Sequence, residues 1–559
     1  MVKRKTTTMR VLITAALPYA NGPIHLGHIR STYLPADIYA RFNRLIGNDT
    51  LYICAMDEHG TPIVVAAEKE GKNPKEFVDY YYKKDKEEFS KLGFSFDIFH
   101  RTSSEENREF TQMFFEKLKE NGYIYEKEVS SPYCERCRRY LPDRFVIGTC
   151  PSCSADEQYS DYCEVCGKAL QGGEIINPRC IVCKEKPVGR VANHYFFSLS
   201  SFSDKLEKWL AENTNLQKEV VNYLLGWIEK GLSDWDITRD LEWGVPIPGK
   251  DNCVFYVWFD APIGYVSSTK ACTNEWEKYW KEEGSEIVHF IGKDIAYHHF
   301  LFWVAMLMGI NDGFRLPDKI PVRGYLNLEG KKFSKSKGWF VSLGCYLENF
   351  EPDYLRYYET AITPHSVVDA DFVWKEFQSK INNELVASLG NFVHRTLSLI
   401  KKLNGCEVPQ PIDLDEKDKD MLMKITKAKE NIRKLISEFN FKEGQEMMMA
   451  LSDNFNRYLS EREPWKDRDE RRRKNCLYVC MRGISALAIL MQPFLPFSSQ
   501  KLCQMCGIEK KEVRWENIDA ELIKPHTRIE NFEPLFKKIE DEKIKKMESM
   551  LYGGGEGAD

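Results

Sequence analysis

Residues 11–28 read VLITAALPYANGPIHLGH. The run 11–16 is apolar without alternation, the pattern of a strand covered on both faces of a parallel sheet. Pro18, Asn21, Gly22 and Pro23 end it in a loop, and a helical stretch then runs to about Leu45. Residues 51–55 form a second buried run, with another helix starting after Thr61. Strand, loop, helix, strand, helix is the order of a doubly wound α/β domain, whose ligand sits beyond the carboxyl ends of the strands. Gly22 and Gly27 permit close backbone approach. His25 and His28, at i and i+3 where the loop becomes helix, can both face a phosphate held on free backbone N–H groups. Two histidines filling structural positions are the alternative.

Working outward, residues 76–122 read as helical and amphipathic, and 125–190 as short β-rich pieces carrying cysteines. Helices resume near Asp204. CVFYVWFDAPIGY (253–265) reads as a buried strand running into a loop, and VHFIGKD (288–294) as another strand, with a helix through Leu307 behind it. VRGYLNLEGKKFSKSKG (322–338) reads as a short hairpin with a basic loop. The fold class expected is therefore α/β: a Rossmann-like parallel sheet split by a cysteine-rich insertion and followed by an α-helical bundle. The expected boundaries are 1–124 and 250–325 for the two halves of the sheet domain and 125–249 for the insertion. Residues 326–380 form the lysine-loop region, 381–545 the bundle and 546–559 a disordered tail. A chain of 559 residues is too long for one core, which agrees with several domains.

The formal net charge is only −5, so any nucleic-acid contact must rest on local patches rather than on bulk charge. No run of 18 apolar residues is present, so no membrane span is expected. The basic start MVKRKTTTMR precedes too brief an apolar run for an export signal. Of the 17 cysteines, eight lie in four CxxC pairs: Cys134/Cys137, Cys150/Cys153, Cys163/Cys166 and Cys180/Cys183. In a large chain without an export signal these are thiols or metal thiolates, and a cytoplasmic location follows. Eight thiolates suit two structural zinc ions, each in a closed S4 site with no water to activate. An iron–sulfur centre and redox thiols are the alternatives. The residues between the pairs are mostly polar, with no core of their own, so metal should supply folding energy there. Cys503 and Cys506 stand alone and read as helix packing.

The loop GKKFSKSKG sets Lys331, Lys332, Lys335 and Lys337 among small residues between glycines, which suits a mobile clamp on polyphosphate better than a solvated charge run. No GxxxxGK[ST] pattern exists, so ATP use must follow another design.

HLGH at 25–28 resembles the HIGH signature of class I aminoacyl-tRNA synthetases, and KFSKS at 332–336 resembles their KMSKS loop, with Phe333 in place of Met. ALPYANGPIHLGH, YVWFDAPIGY, HFIGKDIAYHHFLFW and LPDRFVIGTCP resemble the methionyl-tRNA synthetases, and the likeness extends to about Trp465. Four knuckles with two zincs are similar to the archaeal and eukaryotic-type members. The resemblance implies nesting: Cys150/Cys153 with Cys163/Cys166, and Cys134/Cys137 with Cys180/Cys183. It also implies a ligase that activates L-methionine with ATP and Mg²⁺, then charges tRNA(Met), initiator tRNA included. Homocysteine would be rejected by cyclisation in the synthetic site.

By the same resemblance, methionine is met by Ala16, Leu17, Tyr19, Asp57, Arg239, Trp258, Ala261, Pro262, Tyr265, Ile295 and His299. Asp57 takes the ammonium group, Arg239 pairs with that aspartate, and Tyr19 and His299 offer hydrogen bonds to sulfur. ATP is met by His25, Gly27, His28, Gly292, Asp294, Lys332, Ser334, Lys335 and Ser336, of which His25, His28, Lys332 and Lys335 carry catalysis. Asn391, Arg395 and Trp465 would read the anticodon. No room is expected for a further tRNA-binding or dimerising domain after about residue 545; such a domain would be a separate protein, lie beyond this sequence, or not exist. A synthetase for leucine, valine or isoleucine would need a large β-rich editing insertion, and none is visible. A non-catalytic RNA-binding relative fits poorly with HLGH, KFSKS and Asp57 all intact.

Overall fold

The computed structural model describes residues 9–160, 163, 165–166, 170, 174–334 and 338–552. Its centre is a sheet of five parallel strands: β1 (Arg10–Ala15), β2 (Asp49–Met56), β3 (Ile98–Arg101), β4 (Ser285–Gly292) and β5 (Val322–Arg323), in the order β5-β4-β1-β2-β3. The chain leaves β1 in one direction toward β2 and β3 and returns on its other side as β4. The crevice between β1 and β4 is thus the switch point where such sheets bind ligands. Both sheet faces are buried, because alternate side chains enter different cores. Val11, Ile13 and Ala15 pack with helix Leu34–Leu45 and the helical region. Leu12 packs with helices Glu105–Glu120 and Trp303–Ile310.

Three local expectations are corrected. Residues 76–122 are not continuous helix: Pro74–Lys91 and Glu105–Glu120 are separated by β3, which pairs with β2 from Ile53↔Ile98 to Met56↔Arg101. Four residues carry too little periodicity to mark a strand, and only the free edge of β2 makes one of them. The stretch from 253 is strand only at Val254–Phe255, on a ribbon outside the central sheet; helices Val257–Asp260 and Gly264–Cys272 follow. Residues 546–552 are not a disordered tail but the end of helix Asp541–Tyr552, which buries Ile544, Met547 and Leu551 at i, i+3, i+7. Residues 553–559 lie outside the described residues.

The insertion rises from the sheet domain on a long antiparallel ribbon, Ile124–Cys134 against Val188–Phe197. Beyond Gly390 come helices Asn391–Asn404, Glu416–Ser437, Phe441–Arg462, Glu470–Leu490 and Pro496–Cys506. Asp415 and Asp469 cap two of them with their carboxylates. Cys503 and Cys506 are buried in the last of these helices, as helix-packing residues. Among the described residues, no helix is long and apolar enough to cross a membrane.

A fully buried ion pair joins three segments. Arg356 Nη2 donates to Asp37 Oδ2 (2.7 Å) and to the Pro493 carbonyl (2.9 Å), and its Nε donates to the Phe494 carbonyl (3.0 Å). Arg41 and Ser95 complete the shell of Asp37. Burial alone would raise the Asp37 carboxyl, but Arg41 and Arg356 hold it down at about 2. Asp37→Ala is expected to destabilise the protein by about 3–5 kcal/mol, because Arg356 keeps its charge without a counter-ion. Asp37 binds its proton more weakly when folded than at the ordinary value of about 3.9 in the unfolded chain. Its contribution is therefore complete above about pH 4 and lost as pH falls through about 2. Urea unfolding from pH 7 to pH 2 should show that loss in the parent and a flatter profile in Asp37→Asn.

Candidate active site and metal centres

A cavity of about 400 Å³ opens at the carboxyl ends of β1, β2 and β4. Every residue that the sequence resemblance assigns to methionine lines it, from Ala16, Leu17 and Tyr19 through Asp57 and Arg239 to Trp258, Ala261, Pro262, Tyr265, Ile295 and His299. The sheet register explains part of this convergence. Past the strand ends, Ala20 N donates to the Asp57 carbonyl (2.9 Å) and Asp57 N to the Pro18 carbonyl (2.8 Å), which sets Tyr19 beside Asp57. Gly60, at φ 102°, closes the turn; a Cβ there would stand 2.8 Å from the Tyr19 hydroxyl.

The electrostatics call for a cation. Asp57 Oδ1 is sealed from solvent and has no hydrogen-bond partner. Burial pushes the Asp57 carboxyl well above the carboxylate range, the charges of Asp260 and Glu58 add to this, and the His59 backbone N–H opposes it. A positive group beside Oδ1 would restore the charge. The Tyr19 hydroxyl is also buried without a partner, and burial followed by the Asp57 charge keeps it protonated. Tyr19 lines the cavity, and its protonated hydroxyl is a donor in that wall.

His299 corrects an expectation. Its Nδ1 lies 3.0 Å from the Ile295 carbonyl and must donate to it, so Nε2 accepts from the Tyr265 hydroxyl at 2.8 Å. Burial lowers the ring to about 4, so it is neutral at ordinary pH. With both nitrogens engaged, His299 has no N–H left for sulfur; its role is to orient Tyr265. Arg239 donates to the carbonyls of Asp236 (3.1 Å) and Thr238 (2.8 Å) and lies 4.0 Å over the Tyr256 ring, at the rim of the cavity.

The helix after the HLGH loop opens at Leu26–His28 and passes through a π turn, Ile29–Tyr33, which turns Ser31, Thr32 and Tyr33 toward the cavity beside His28. A second π turn, His298–Phe302, carries His299. Gly292 and Asp294, at the end of β4, line the same space. His25 stacks on His28 (3.7 Å between centroids) and on Phe333 (4.7 Å), so the two signature segments meet. Gly27 is needed here, since a Cβ would press on the His25 ring at 3.1 Å. The loop is carried by strands Leu326–Leu328 and Lys331–Lys332, and Ser334 and Trp339 pair across its base with two 2.9 Å bonds. Lys332 stands exposed on that hairpin, and Ser334 is half-buried at the base. Lys335 and Ser336 lie outside the described residues.

Arg144 escaped the sequence reading: half-buried, it reaches the cavity from the insertion. So did the pair His59 and Asp260, which bond to each other at 2.7 Å outside the lining. Arg144 sits in the quoted LPDRFVIGTCP, but nothing in that string reveals which way the insertion folds. In the helical region, Asn391 and Arg395 lie one turn apart on helix Asn391–Asn404. The Arg395 guanidinium is 5.5 Å from the ring of Trp465, which is 39% exposed after helix Phe441–Arg462.

Cys134, Cys137, Cys180 and Cys183 form one quartet, and Cys150, Cys153, Cys163 and Cys166 form the other; in each the sulfurs lie within 4.8 Å of one another. The nested pairing expected from the resemblance is the one present. Separations of 3.3 Å (Cys134–Cys183), 3.9 Å (Cys137–Cys180), 3.8 Å (Cys150–Cys166) and 3.6 Å (Cys153–Cys163) bracket the edge of about 3.8 Å that a tetrahedron with 2.3 Å metal–sulfur bonds requires. Backbone N–H groups of Cys137 and Cys166 point at Cys134 and Cys163 Sγ. The expected lack of any core is corrected: Leu141, Phe145, Val146, Leu170 and Ile175 gather round Cys134 and Cys180 against Val65.

Residues 11–397 match the family model described as tRNA synthetases class I (M), and residues 408–556 match the anticodon binding domain of methionyl tRNA ligase. The chain is 45% identical to the methionine–tRNA ligase of Methanopyrus kandleri, over 98% of its own length and 83% of the relative's. It is 44% identical to that of Methanocaldococcus jannaschii, over 97% and 81%. The Mycobacterium tuberculosis methionyl-tRNA synthetase solved with methionyl-adenylate superposes with a TM-score of 0.80 at 25% identity, covering 95% of this chain and all of that one.

Tyr265→Phe strands the Nε2 acceptor of His299 in a dry wall. It is expected to cost about 1–3 kcal/mol, read as a lower denaturation midpoint with an unchanged slope.

Proposed function

Because the chain belongs to the methionyl-tRNA synthetase family of class I, we propose the roles its own residues take in joining methionine to tRNA. The Asp57 carboxylate receives the substrate ammonium group, which explains a buried oxygen with no partner in a dry pocket. Arg239 holds the rim on that side. The Tyr19 hydroxyl donates to the thioether, while Ala16, Leu17, Trp258, Ala261, Pro262 and Ile295 shape an apolar slot for it. Trp258, stacked on His298 at 3.8 Å, forms the cover.

In the first step a carboxylate oxygen of methionine attacks the α-phosphorus of ATP. The bond to the bridging oxygen breaks and pyrophosphate leaves. The nucleophile is already anionic, so no base is needed, and catalysis is positioning plus charge stabilisation. His25 and His28 stabilise the α-phosphate, Asp294 holds the ribose beside Gly292, and Lys332 with Lys335 holds the β- and γ-phosphates. Mg²⁺ bound with ATP would neutralise those phosphates. In the second step a hydroxyl of the terminal adenosine of tRNA(Met) attacks the methionyl carbonyl and gives its proton to the departing phosphate, and AMP leaves with the electron pair of the broken anhydride bond. Asn391, Arg395 and Trp465 form the anticodon contact, a cation and an exposed ring suited to unstacked bases. The two cysteine quartets hold zinc, each as a closed structural site.

One observation supports the reading above the rest: the His28–His25–Phe333 stack, which joins the lysine-bearing hairpin to a histidine that lines the same cavity as Asp57. Methionine-dependent exchange of pyrophosphate into ATP tests it. Asp57→Ala should lower kcat/KM for methionine on the order of a hundredfold or more, with unfolding unchanged. Exchange at the parent rate would refute the ammonium assignment. Native mass spectrometry should find two zinc ions per chain and one in Cys150→Ser.

A further inference from the structure

Helix Lys218–Glu229 buries Val220 and Leu224, and beside them, at the edge of the same face, Tyr223 and Trp227 are 56% and 43% exposed. Its start is pinned to the sheet edge. Gln217 Nε2 donates to the carbonyls of Val322 (3.3 Å) and His365 (2.9 Å), and Gln217 Oε1 accepts from Val322 N (2.7 Å). Two large rings thus stand in water on a rigid support. They are also the outer end of a chain of ring contacts. Tyr223 meets Trp227 (6.5 Å) and Trp227 meets Tyr297 (5.2 Å); Tyr297 lies parallel to Trp235 (5.8 Å). Trp235 meets His298 (5.1 Å), which stacks on Trp258 (3.8 Å), a wall of the amino-acid cavity. Exposed Lys218 and Lys230 stand at the two ends of the helix.

We infer that the Tyr223–Trp227 ridge is the platform on which the single-stranded 3′ end of the tRNA lies while its terminal adenosine enters the cavity. The inference rests on the ligase reading above. Transfer requires the last nucleotide inside and the acceptor duplex outside, so the unpaired nucleotides between them must cross the surface at the mouth. Bases stack on aromatic faces whatever their identity, and lysines meet the phosphates. The ridge supplies both, and its rings join the cavity wall through Tyr297, Trp235 and His298. Being sequence-blind is no defect where the 3′ end is the same in every tRNA.

The test uses the full chain with Trp227→Ala, Tyr223→Ala and Trp227→Phe. Neither residue touches the cavity, so methionine-dependent pyrophosphate exchange without tRNA should stay within about twofold of the parent. Aminoacylation of tRNA(Met) should lose about 5- to 150-fold in kcat/KM for tRNA in Trp227→Ala, the loss of one base–ring stack, and recover in Trp227→Phe. A tRNA trimmed of its 3′-terminal nucleotides should bind parent and Trp227→Ala alike. Unchanged charging, an equal fall in exchange and charging, or a trimmed tRNA that loses affinity in the variant would each overturn the inference. So would a chain that self-associates through Trp227 without any effect on charging. Failure of the ligase reading is told apart by the parent protein, which would then charge no tRNA at all.

Discussion

The buried guanidinium of Arg30 holds the two signature segments in one frame. It lies two residues after HLGH and is almost wholly removed from solvent. Its Nη1 donates to the carbonyls of Gly324 (2.7 Å) and Tyr325 (3.1 Å), Nη2 to Val368 (3.3 Å), and Nε to the Thr363 hydroxyl (3.0 Å). Those carbonyls begin the hairpin that bears Phe333 and Lys332. Gly324 is obligatory at this joint, since a Cβ would fall 2.3 Å from the Val368 carbonyl. Burial lowers the guanidinium to about 10 while Glu359 and Asp369 support its charge, so it remains a cation at any physiological pH. The cleft is therefore built by fixed hydrogen bonds between backbone and one side chain, and its two ends keep their separation.

The same logic recurs at the other joints. Arg323 donates to the carbonyls of His365 (3.0 Å) and Phe439 (2.9 Å), fastening β5 to the helical region, and Arg356 does so for helix Leu34–Leu45. A planar donor fork satisfies several carbonyls at once, where a lysine would satisfy fewer. Three buried arginines thus link the sheet whose strand ends line the cavity to the helices that carry Trp465. The cavity itself is built in the opposite way. It leaves Asp57 Oδ1 buried without a hydrogen-bond partner, where a cation would restore the charge.

Much of this was legible in the residues. The unbroken apolar run at 11–16 marks a doubly covered strand because each face of a parallel sheet is buried, and Val11, Leu12 and Ile13 enter different cores. Four CxxC turns predict two quartets because a CxxC turn points two thiols one way. HLGH and KFSKS pointed to one nucleotide, and their rings touch through His25 and Phe333. The failures were equally physical. β3 is too short to show a period. Helix Val257–Asp260 is one turn whose first three residues are all apolar, so its pattern cannot be told from that of a buried strand.

By itself the sequence determined residue types and spacings, which are local: thiols spaced for metal, and histidines and lysines set in glycine-bearing loops that suit phosphates. A carboxylate for an ammonium group and an aromatic for a base came from the family resemblance of the stretches around them. Only the tertiary structure decided how each group is used. His299 loses its free N–H because the Ile295 carbonyl and the Tyr265 hydroxyl occupy its two nitrogens. Arg144 reaches the cavity because the insertion folds back over the sheet. Tyr223 and Trp227 stay half in water because they flank Val220 and Leu224 at the rim of the buried side of their helix. Donor direction, protonation and exposure are set by neighbours distant in the chain, and spacing along the sequence carries no record of them.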